Sequence, residues 1–339
     1  MLGIYRRPTA PDPEAYRDLL RSAGDLLAAE PQEYRPWASD GAAGGLVELD
    51  PERITVIIPD IHARMDLVLR VLSHRPETAG RDEQLLTLLH TGEAQLVCVG
   101  DYVHAESRAY GRWLKAFEEF SGGYIEHEAM DEEMQESLGT VEILLELKRA
   151  LPRSVHMLKG NHENIANEEG AGNLPFGKFA YEGAMVAAYM EQFYGDELLA
   201  EFARVEHLYP LLAVGGNFLV THAEPQAFYS RTDVIEYRSK PEVVFGLTWT
   251  PNDGAEPGSV ERMLSHYLGT SEALHFGGHR PVRGAYAVRA GGRYVQLHNP
   301  DAQIIAVIAP DRPIDPARDV IILNAKEDLP HGEASGEDR

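Results

Sequence analysis

Apolar positions along this chain follow two different spacings, and the change from one to the other locates its elements. Between residues 11 and 30, Tyr16, Leu19, Leu20, Leu26 and Leu27 recur near helical spacing among polar positions, which predicts an amphipathic helix. Residues 31–45 are rich in Pro, Gly, Ala and Asp and read as a connecting loop. The pattern then changes. Ile54-Thr-Val-Ile-Ile58 is a β-branched run between Arg53 and Pro59, which predicts a buried strand. A helical pattern through Leu67, Leu69, Val71 and Leu72 leads to a second apolar run, Leu96 to Val99. An apolar helix through Val141, Ile143, Leu144, Leu145 and Leu147 leads to a third run, Val155 to Leu158. Strand, helix and strand in this rhythm predict βαβ units and an α/β fold. Further strands are expected at Asn217–Val220, Ala273–Phe276, Gly284–Val288, Tyr294–Leu297 and Ile304–Ile308, with Gly291-Gly292 as a hairpin signal.

The acidic, helix-favouring stretch from Arg108 to Leu138, with Gly122-Gly123 inside it, interrupts this rhythm and reads as an insertion. Its Glu-rich part, Glu126 to Glu136, is most simply a solvated helix face, with a lid over a cleft as the alternative. The expected organisation is an N-terminal helix and linker over 1–50, a main domain over 51–324 with a helical insertion at about 109–138, and an acidic tail over 325–339. There is no internal repeat.

Composition narrows the partners. No apolar run approaches the roughly 18–20 residues of a membrane span, and the arginines of Met1 to Pro11 are followed by no apolar core, so neither a membrane span nor a secretory signal is expected. The single cysteine, Cys98, rules out a disulfide within the chain and fits a reducing compartment, so a cytoplasmic location is expected. The net charge is −23, from 31 basic and 54 acidic residues, which argues against duplex nucleic acid or an anionic membrane as partner. An anionic substrate would then need a local reversal of the field, and metal cations in a cleft supply one.

The chemistry lies at strand ends. Asp60 and His62 follow the first strand, Gly100-Asp101 the second, and Gly160-Asn161-His162-Glu163 the third. His222 ends the fourth, and Gly278-His279 the fifth. Carboxyl ends of strands are where open α/β sheets place ligand sites. A lone Asp-X-His or Gly-Asp pair carries little weight, and a single His after a strand is more often a hydrogen-bonded structural residue. Five such elements in order, each ending a strand, carry much more. Carboxylate, imidazole and amide donors together suit two divalent transition ions that clamp a phosphoryl group.

In this order, Asp60-Ile-His62, Gly100-Asp101, Gly160-Asn-His-Glu163, His222 and Gly278-His279 resemble the calcineurin-like metallophosphoesterase superfamily, and most of all its phosphoprotein phosphatase branch. The resemblance spans about residues 53–300. It implies a four-layer αββα sandwich with mixed sheets and a site at one edge. It also implies that Asp60 and His62 bind a first metal, that Asp101 bridges, and that Asn161, His222 and His279 complete a second. His162 would be the general acid and Glu163 an orienting group. The metals would be drawn from Mn, Fe, Zn or Ni, with Mn favoured. The substrate would be a phosphorylated protein or small phosphoester; the oligomeric state is not implied.

The second motif departs from the pattern. Phosphatases of this branch read Gly-Asp-X-X-Asp-Arg-Gly, whereas here His104 and Ala105 stand in place of the second Asp and the Arg. Either Glu106 supplies the missing carboxylate beside His162, or His104 acts behind the ligands or reaches the first metal itself. The phosphate-binding cation must come from elsewhere; Arg108 and Arg280 are the first candidates, with Arg231 and Arg238 further ones. Pro59 and Ala63 stand where the family has glycines, and neither is a ligand position. Pro281 occupies the slot of a second His in superfamily phosphodiesterases, which favours a phosphatase-like site. Leu247-Thr-Trp-Thr-Pro251 is similar to a Leu-Trp-Ser-Asp-Pro segment of protein phosphatases, with core packing the other reading of Trp249. His298 ends a strand and could line the cleft, whereas His74, His90, His127, His156, His207, His266, His275 and His331 read as structural or solvated. The expected activity is phosphomonoester hydrolysis; the alternatives are a nucleotide or dinucleoside polyphosphate substrate, or a metal-binding module without turnover.

Overall fold

The structure is a computed structural model that describes residues 1–76 and 82–323. Eleven strands are found among these residues. They are β1 (Leu46–Glu48), β2 (Ile54–Ile58), β3 (Ala94–Cys98), β4 (Val155–Met157), β5 (Leu212–Val214), β6 (Phe218–Thr221), β7 (Leu274–Gly277), β8 (Ala287–Arg289), β9 (Tyr294–Gln296), β10 (Ile304–Ile308) and β11 (Val320–Ile322). Five form one sheet in the order β11-β10-β2-β3-β4, and six form another in the order β1-β5-β6-β7-β9-β8. Both sheets are mixed. β2, β3 and β4 run parallel, and so do β6, β7 and β9, while β10 opposes β2 and β8 opposes β9.

The period-2 pattern of the strands explains the layering. In the first sheet Ile57 and Val97 pack with Ala213, Val220, Phe276 and Val295 of the second, forming an apolar core between the sheets. Their neighbours Val56, Ile58, Leu96 and Cys98 point the other way, onto Met134, Leu138, Leu144 and other helical residues. On the far side, Leu212, Val214 and Leu219 pack against Val243, Leu247, Val260 and Leu264, from the helices Pro241–Thr248 and Ser259–Leu268. Helices therefore cover both outer faces. The result is the expected four-layer αββα sandwich.

The amphipathic helix is Pro13–Ala28, capped by Asp12, whose carboxylate accepts from the backbone N–H of Glu14 and Ala15. Tyr16, Leu19, Leu20, Ala23 and Leu27 are buried, and the helix packs on the helices Glu128–Ala150 and Asp196–Leu208. Two features differ from the sequence expectation of a linker through residue 50. Leu46–Glu48 is β1, paired parallel with β5. Buried Glu30 pairs with Arg35 and lies 2.5 Å from the equally buried Lys148 Nζ. Both contacts tie the first fifty residues into the sandwich.

The expected insertion does not end at residue 138. After a short turn, Ser107–Ala109, come the helices Tyr110–Ser121 and Glu128–Ala150, and the second runs unbroken through Val141 to Leu147. Gly139 does not break it, because a Cβ there would sit 2.7 Å from Met65 Sδ and the position is filled by packing. Nor is the Glu-rich face wholly solvated. Glu133 is buried, accepts from Ala105 N and pairs with Arg112. Gly291 and Gly292, with φ 59° and 95°, turn the chain between β8 and β9 as expected, and β8 begins at Ala287 rather than Gly284. The tail 325–339, and His331 with it, lies outside the described residues. Among those described, no helix is long and apolar enough to cross a membrane.

Candidate active site

Two sets of parallel strands open onto one edge. From the first sheet, β2 leads to Asp60 and His62, β3 to Asp101, and β4 to Asn161 and His162. From the second, β6 leads to His222, β7 to His279 and β9 to His298. The turns that follow are sharp. His62, Ala63, Asp101, His104, Glu106 and His279 all adopt positive φ, between 44° and 75°, a concentration of strained non-glycine backbone typical of functional sites. Space is equally tight: a Cβ on Gly278 would lie 1.8 Å from Asp60 Oδ1, and one on Gly160 2.3 Å from Asp101 Oδ1. Only glycine lets these backbones approach the carboxylates.

Hydrogen bonds set which atom each side chain offers. His62 Nδ1 lies 3.0 Å from the His104 carbonyl and His222 Nδ1 3.2 Å from the Val99 carbonyl. A carbonyl only accepts, so both rings carry hydrogen on Nδ1 and present Nε2 as a bare lone pair. His62 Nε2 is 3.6 Å from Asp101 Oδ2, and His222 Nε2 is 3.6 Å from Asp101 Oδ1. Asp101 thus stands between two imidazoles with one oxygen toward each. Asn161 Oδ1 lies 2.9 Å from His222 Nε2 and 2.8 Å from His279 Nδ1. Asp60 is fixed by the backbone N–H of His279, at 3.1 and 2.9 Å from its two oxygens.

This donor set suits cations. Asp60 and Asp101 are buried side by side, and burial, reinforced at Asp101 by the Asp60 charge, raises both carboxyls above their usual range. Burial pushes His62 and His222 well below the usual imidazole value and His279 down to about 3, so protonation does not offset the carboxylates. A lone pair of His222 facing the acceptor oxygen of Asn161 at 2.9 Å is also unfavourable by itself. A divalent ion shared by these atoms relieves both conflicts. Asp60, His62 and Asp101 could hold one ion, and Asp101, Asn161, His222 and His279 a second.

Glu163 supports this set. Its carboxylate accepts from Asp101 N at 2.8 Å, Tyr102 N at 2.8 Å and Gly160 N at 2.6 Å, joining two of the ligand-bearing turns. His162 donates its backbone N–H to Asp101 Oδ1, and its ring stacks on Phe176 with centroids 4.6 Å apart. Burial and the neighbouring His104 and His62 rings push the His162 imidazole well below its usual value.

The divergent second motif sets His104 behind the strand-end residues, one of the sequence alternatives, beside a carboxylate that lay in no motif. The buried His104 ring stacks on Trp113 and lies 4.9 Å, centroid to centroid, from the His162 ring. His104 Nε2 is 3.7 Å from Glu182 Oε1. Glu182 is the carboxylate behind this pair; burial opposes its charge, but His104 and the Lys178 and Phe179 N–H groups bring its carboxyl down to about 2. Glu106 turns instead to His298 Nε2, at 3.2 Å, and to Lys178 Nζ, at 3.2 Å.

The candidate cations separate. Arg108 donates to the His62 and Ala63 carbonyls and to Glu136, which engages its guanidinium in bracing the first turn. Arg238 is directed away from the site: it donates to the Ala43 carbonyl and lies over the Tyr237 ring. Arg231 pairs with Glu48. Arg280 is exposed directly beside His279. Lys178, 42% exposed and adjacent to Glu106, lay in no motif and carried no sequence signal. Trp249 ends the helix Pro241–Thr248 with its ring 6.4 Å from that of His279, so it borders the site while packing on the core.

Comparison with known proteins identifies the family and the fold. The sequence model of the calcineurin-like phosphoesterase family matches residues 55–305. A comparison with curated proteins finds no match. Among solved structures, the chain is similar to a protein serine/threonine phosphatase from Saccharomyces cerevisiae, described as similar to human phosphatase PP5, with a TM-score of 0.55 at 15% identity. That match covers 92% of this chain and 89% of the yeast one. Weaker likenesses are a cold-active protein-tyrosine phosphatase of a psychrophile Shewanella species (TM-score 0.44, 12% identity, 88% and 84% covered) and a diadenosine tetraphosphatase described as putative (0.41, 16%, 82% and 98%). With its fold, its ordered strand-end Asp, Asn and His residues and a family match over most of its length, the chain belongs to the calcineurin-like phosphoesterases and is a metal-dependent phosphoester hydrolase.

Proposed function

We propose that this protein hydrolyses phosphomonoesters, with phosphorylated proteins or small phosphoesters as substrates, at a pair of divalent ions. Asp60, His62 and Asp101 hold the first ion, and Asp101, Asn161, His222 and His279 the second. The observation that carries this reading is Asp101, whose two oxygens each lie 3.6 Å from the free Nε2 of a different histidine, as a bridging ligand requires. Manganese fits a set that mixes carboxylate, amide and imidazole, and the lone buried cysteine fits a cytoplasmic protein. When bound, such a pair polarises the phosphoryl group and lowers the pKa of an attacking water. The side chains supply the rest. Arg280 and Lys178, at the open side of the site, bind the phosphate oxygens. His162, whose buried imidazole favours the neutral form, relays to the leaving oxygen the proton given up by the attacking water, oriented by Phe176 and by His104, with Glu182 behind it.

The changed second motif supports a second reading, a nucleotide or dinucleoside polyphosphate substrate, because the arginine of the phosphatase pattern is replaced by Ala105 and Arg108 is engaged elsewhere. Rates on a phosphomonoester, a phosphodiester and a dinucleoside polyphosphate with manganese separate the two. In the phosphomonoester assay, Asn161→Ala loses bound metal together with turnover, whereas His162→Ala keeps the metal and loses turnover by a factor of about 10²–10⁴. Full activity in both variants would sink the proposal.

A further inference from the structure

We infer that His298 is a further protein ligand of the first ion, bound through Nδ1, and that Glu106 fixes its orientation by accepting the Nε2–H. This rests on the two-ion reading above and extends it to residues outside the six ligands. The position two residues after His279 is Pro281, which has no side-chain donor; Glu106 Oε1 lies 3.4 Å from His62 Nε2 but is engaged by His298 Nε2 and Lys178 Nζ, and His298 Nδ1 offers a further donor atom.

His298 arrives from β9, one strand beyond the strand that carries His279. Its side chain is 3% exposed and its ring centroid is 5.2 Å from that of His62. Nδ1 lies 3.7 Å from Asp60 Oδ2, and one donor atom each from Asp60, His62 and His298 can be chosen so that all lie within 4.8 Å of one another. A separation of 3.7 Å is too long for a hydrogen bond. It is instead the spacing of two donors on one ion, since bonds of about 2.0–2.2 Å place neighbouring ligands about 3–4 Å apart.

The other face of the ring fixes the tautomer. Nε2 lies 3.2 Å from Glu106 Oε1, a carboxylate that only accepts, so Nε2 carries the hydrogen and Nδ1 is left bare toward Asp60. Carboxylate, histidine and metal in line is the arrangement by which outer partners orient metal-binding imidazoles. It also accounts for Glu106, which is buried, stands where the phosphatase pattern ends in Gly, and adopts φ 44° despite its side chain. Lys178, 3.2 Å from the same oxygen, balances its charge. With four protein donors, the first ion has fewer open positions and is held more tightly than three donors would hold it.

The test is metal stoichiometry and affinity, read by elemental analysis and by chelator competition with manganese alone on the full chain. Wild type retains two ions and Asn161→Ala one. His298→Ala also retains one, and the double variant none at the same free manganese. Glu106→Gln weakens one ion about 10–100-fold. Circular dichroism establishes that each variant is folded; should His298→Ala not fold, His298→Gln and Glu106→Gln carry the comparison. Two ions of unchanged affinity in the folded His298 variant, or unchanged affinity in Glu106→Gln, overturn the inference while leaving the two-ion site intact. A wild type that binds no manganese removes both.

Discussion

Replacing Glu163 by glutamine tests whether the ligand turns are held by one carboxylate. Glu163 is 2% exposed; Oε2 accepts from Asp101 N and Gly160 N, and Oε1 from Tyr102 N. An amide has one oxygen. Its best placement keeps the two bonds of Oε2 and turns an NH2 toward the N–H of Tyr102, donor against donor. The stranded buried N–H costs about 1–3 kcal/mol. The two remaining bonds lose their ionic character, and charge-assisted bonds are roughly twice as strong as neutral ones, so a total of about 3 kcal/mol is expected. That is a large part of a typical stability of about 5–15 kcal/mol. In urea unfolding of the metal-free protein, followed by circular dichroism, the midpoint falls by about 1 M or more. The measurement belongs at pH 8, because burial raises the Glu163 carboxyl and the wild type must be ionised for the comparison. Manganese affinity falls as well, by about 10–100-fold, since Asp101 is released from its fixed turn. A Glu163→Gln protein with the wild-type midpoint and wild-type manganese affinity would refute this account of the turns.

Two further outcomes follow from packing and charge. Gly278→Ala would set a methyl 1.8 Å from Asp60 Oδ1, forcing that carboxylate off the His279 N–H, so bound metal and kcat/KM both fall by a hundredfold or more; retention of both ions by elemental analysis contradicts this. At Glu30, burial opposes the charge, but Lys148 and Arg35 win and lower the carboxyl from 4.5 to about 2. A carboxyl depressed in the folded state stabilises fully above its unfolded value, and that stability is lost as the pH falls from 4.5 towards 2. The shift alone corresponds to about 3 kcal/mol, and part is returned because burial pushes Lys148 down in the same pair. Glu30→Gln therefore flattens the acid limb of stability over that window; urea midpoints that fall as steeply as in wild type there would contradict the pairing.

Much of the site was legible without coordinates. Asp60, His62, Asp101, Asn161, His222 and His279 each follow an apolar β-branched or aromatic run by one to five residues, and such runs announce strands from local pattern alone. The misplaced elements had weak local signals. Leu46–Glu48 is only three residues long, and its place as a strand depends on pairing with Leu212–Val214, far along the chain. The helical insertion runs on past residue 138 into the apolar helix through Val141 to Leu147, and Gly139 lies inside that one helix, packed against Met65.

The chain's own order of residues determined the strand-end chemistry and the family, because a strand, the turn after it and the ligand it delivers are contiguous. Only the tertiary structure decided what surrounds the ligands. Arg238 shares the general vicinity in sequence with Trp249 yet is spent on Ala43, and Arg108 is engaged with backbone carbonyls and Glu136. Lys178, Glu182 and His298 come from segments roughly 70 to 200 residues away from the second motif, and they meet Glu106 and His104 only through tertiary packing: His298 from the end of β9 in the facing sheet, Lys178 and Glu182 from just before and at the start of the helix Glu182–Phe193. Periodicity records which face a residue takes within its own element. It carries no information on which distant elements share that face, and the electrostatics of a buried site are set by those neighbours.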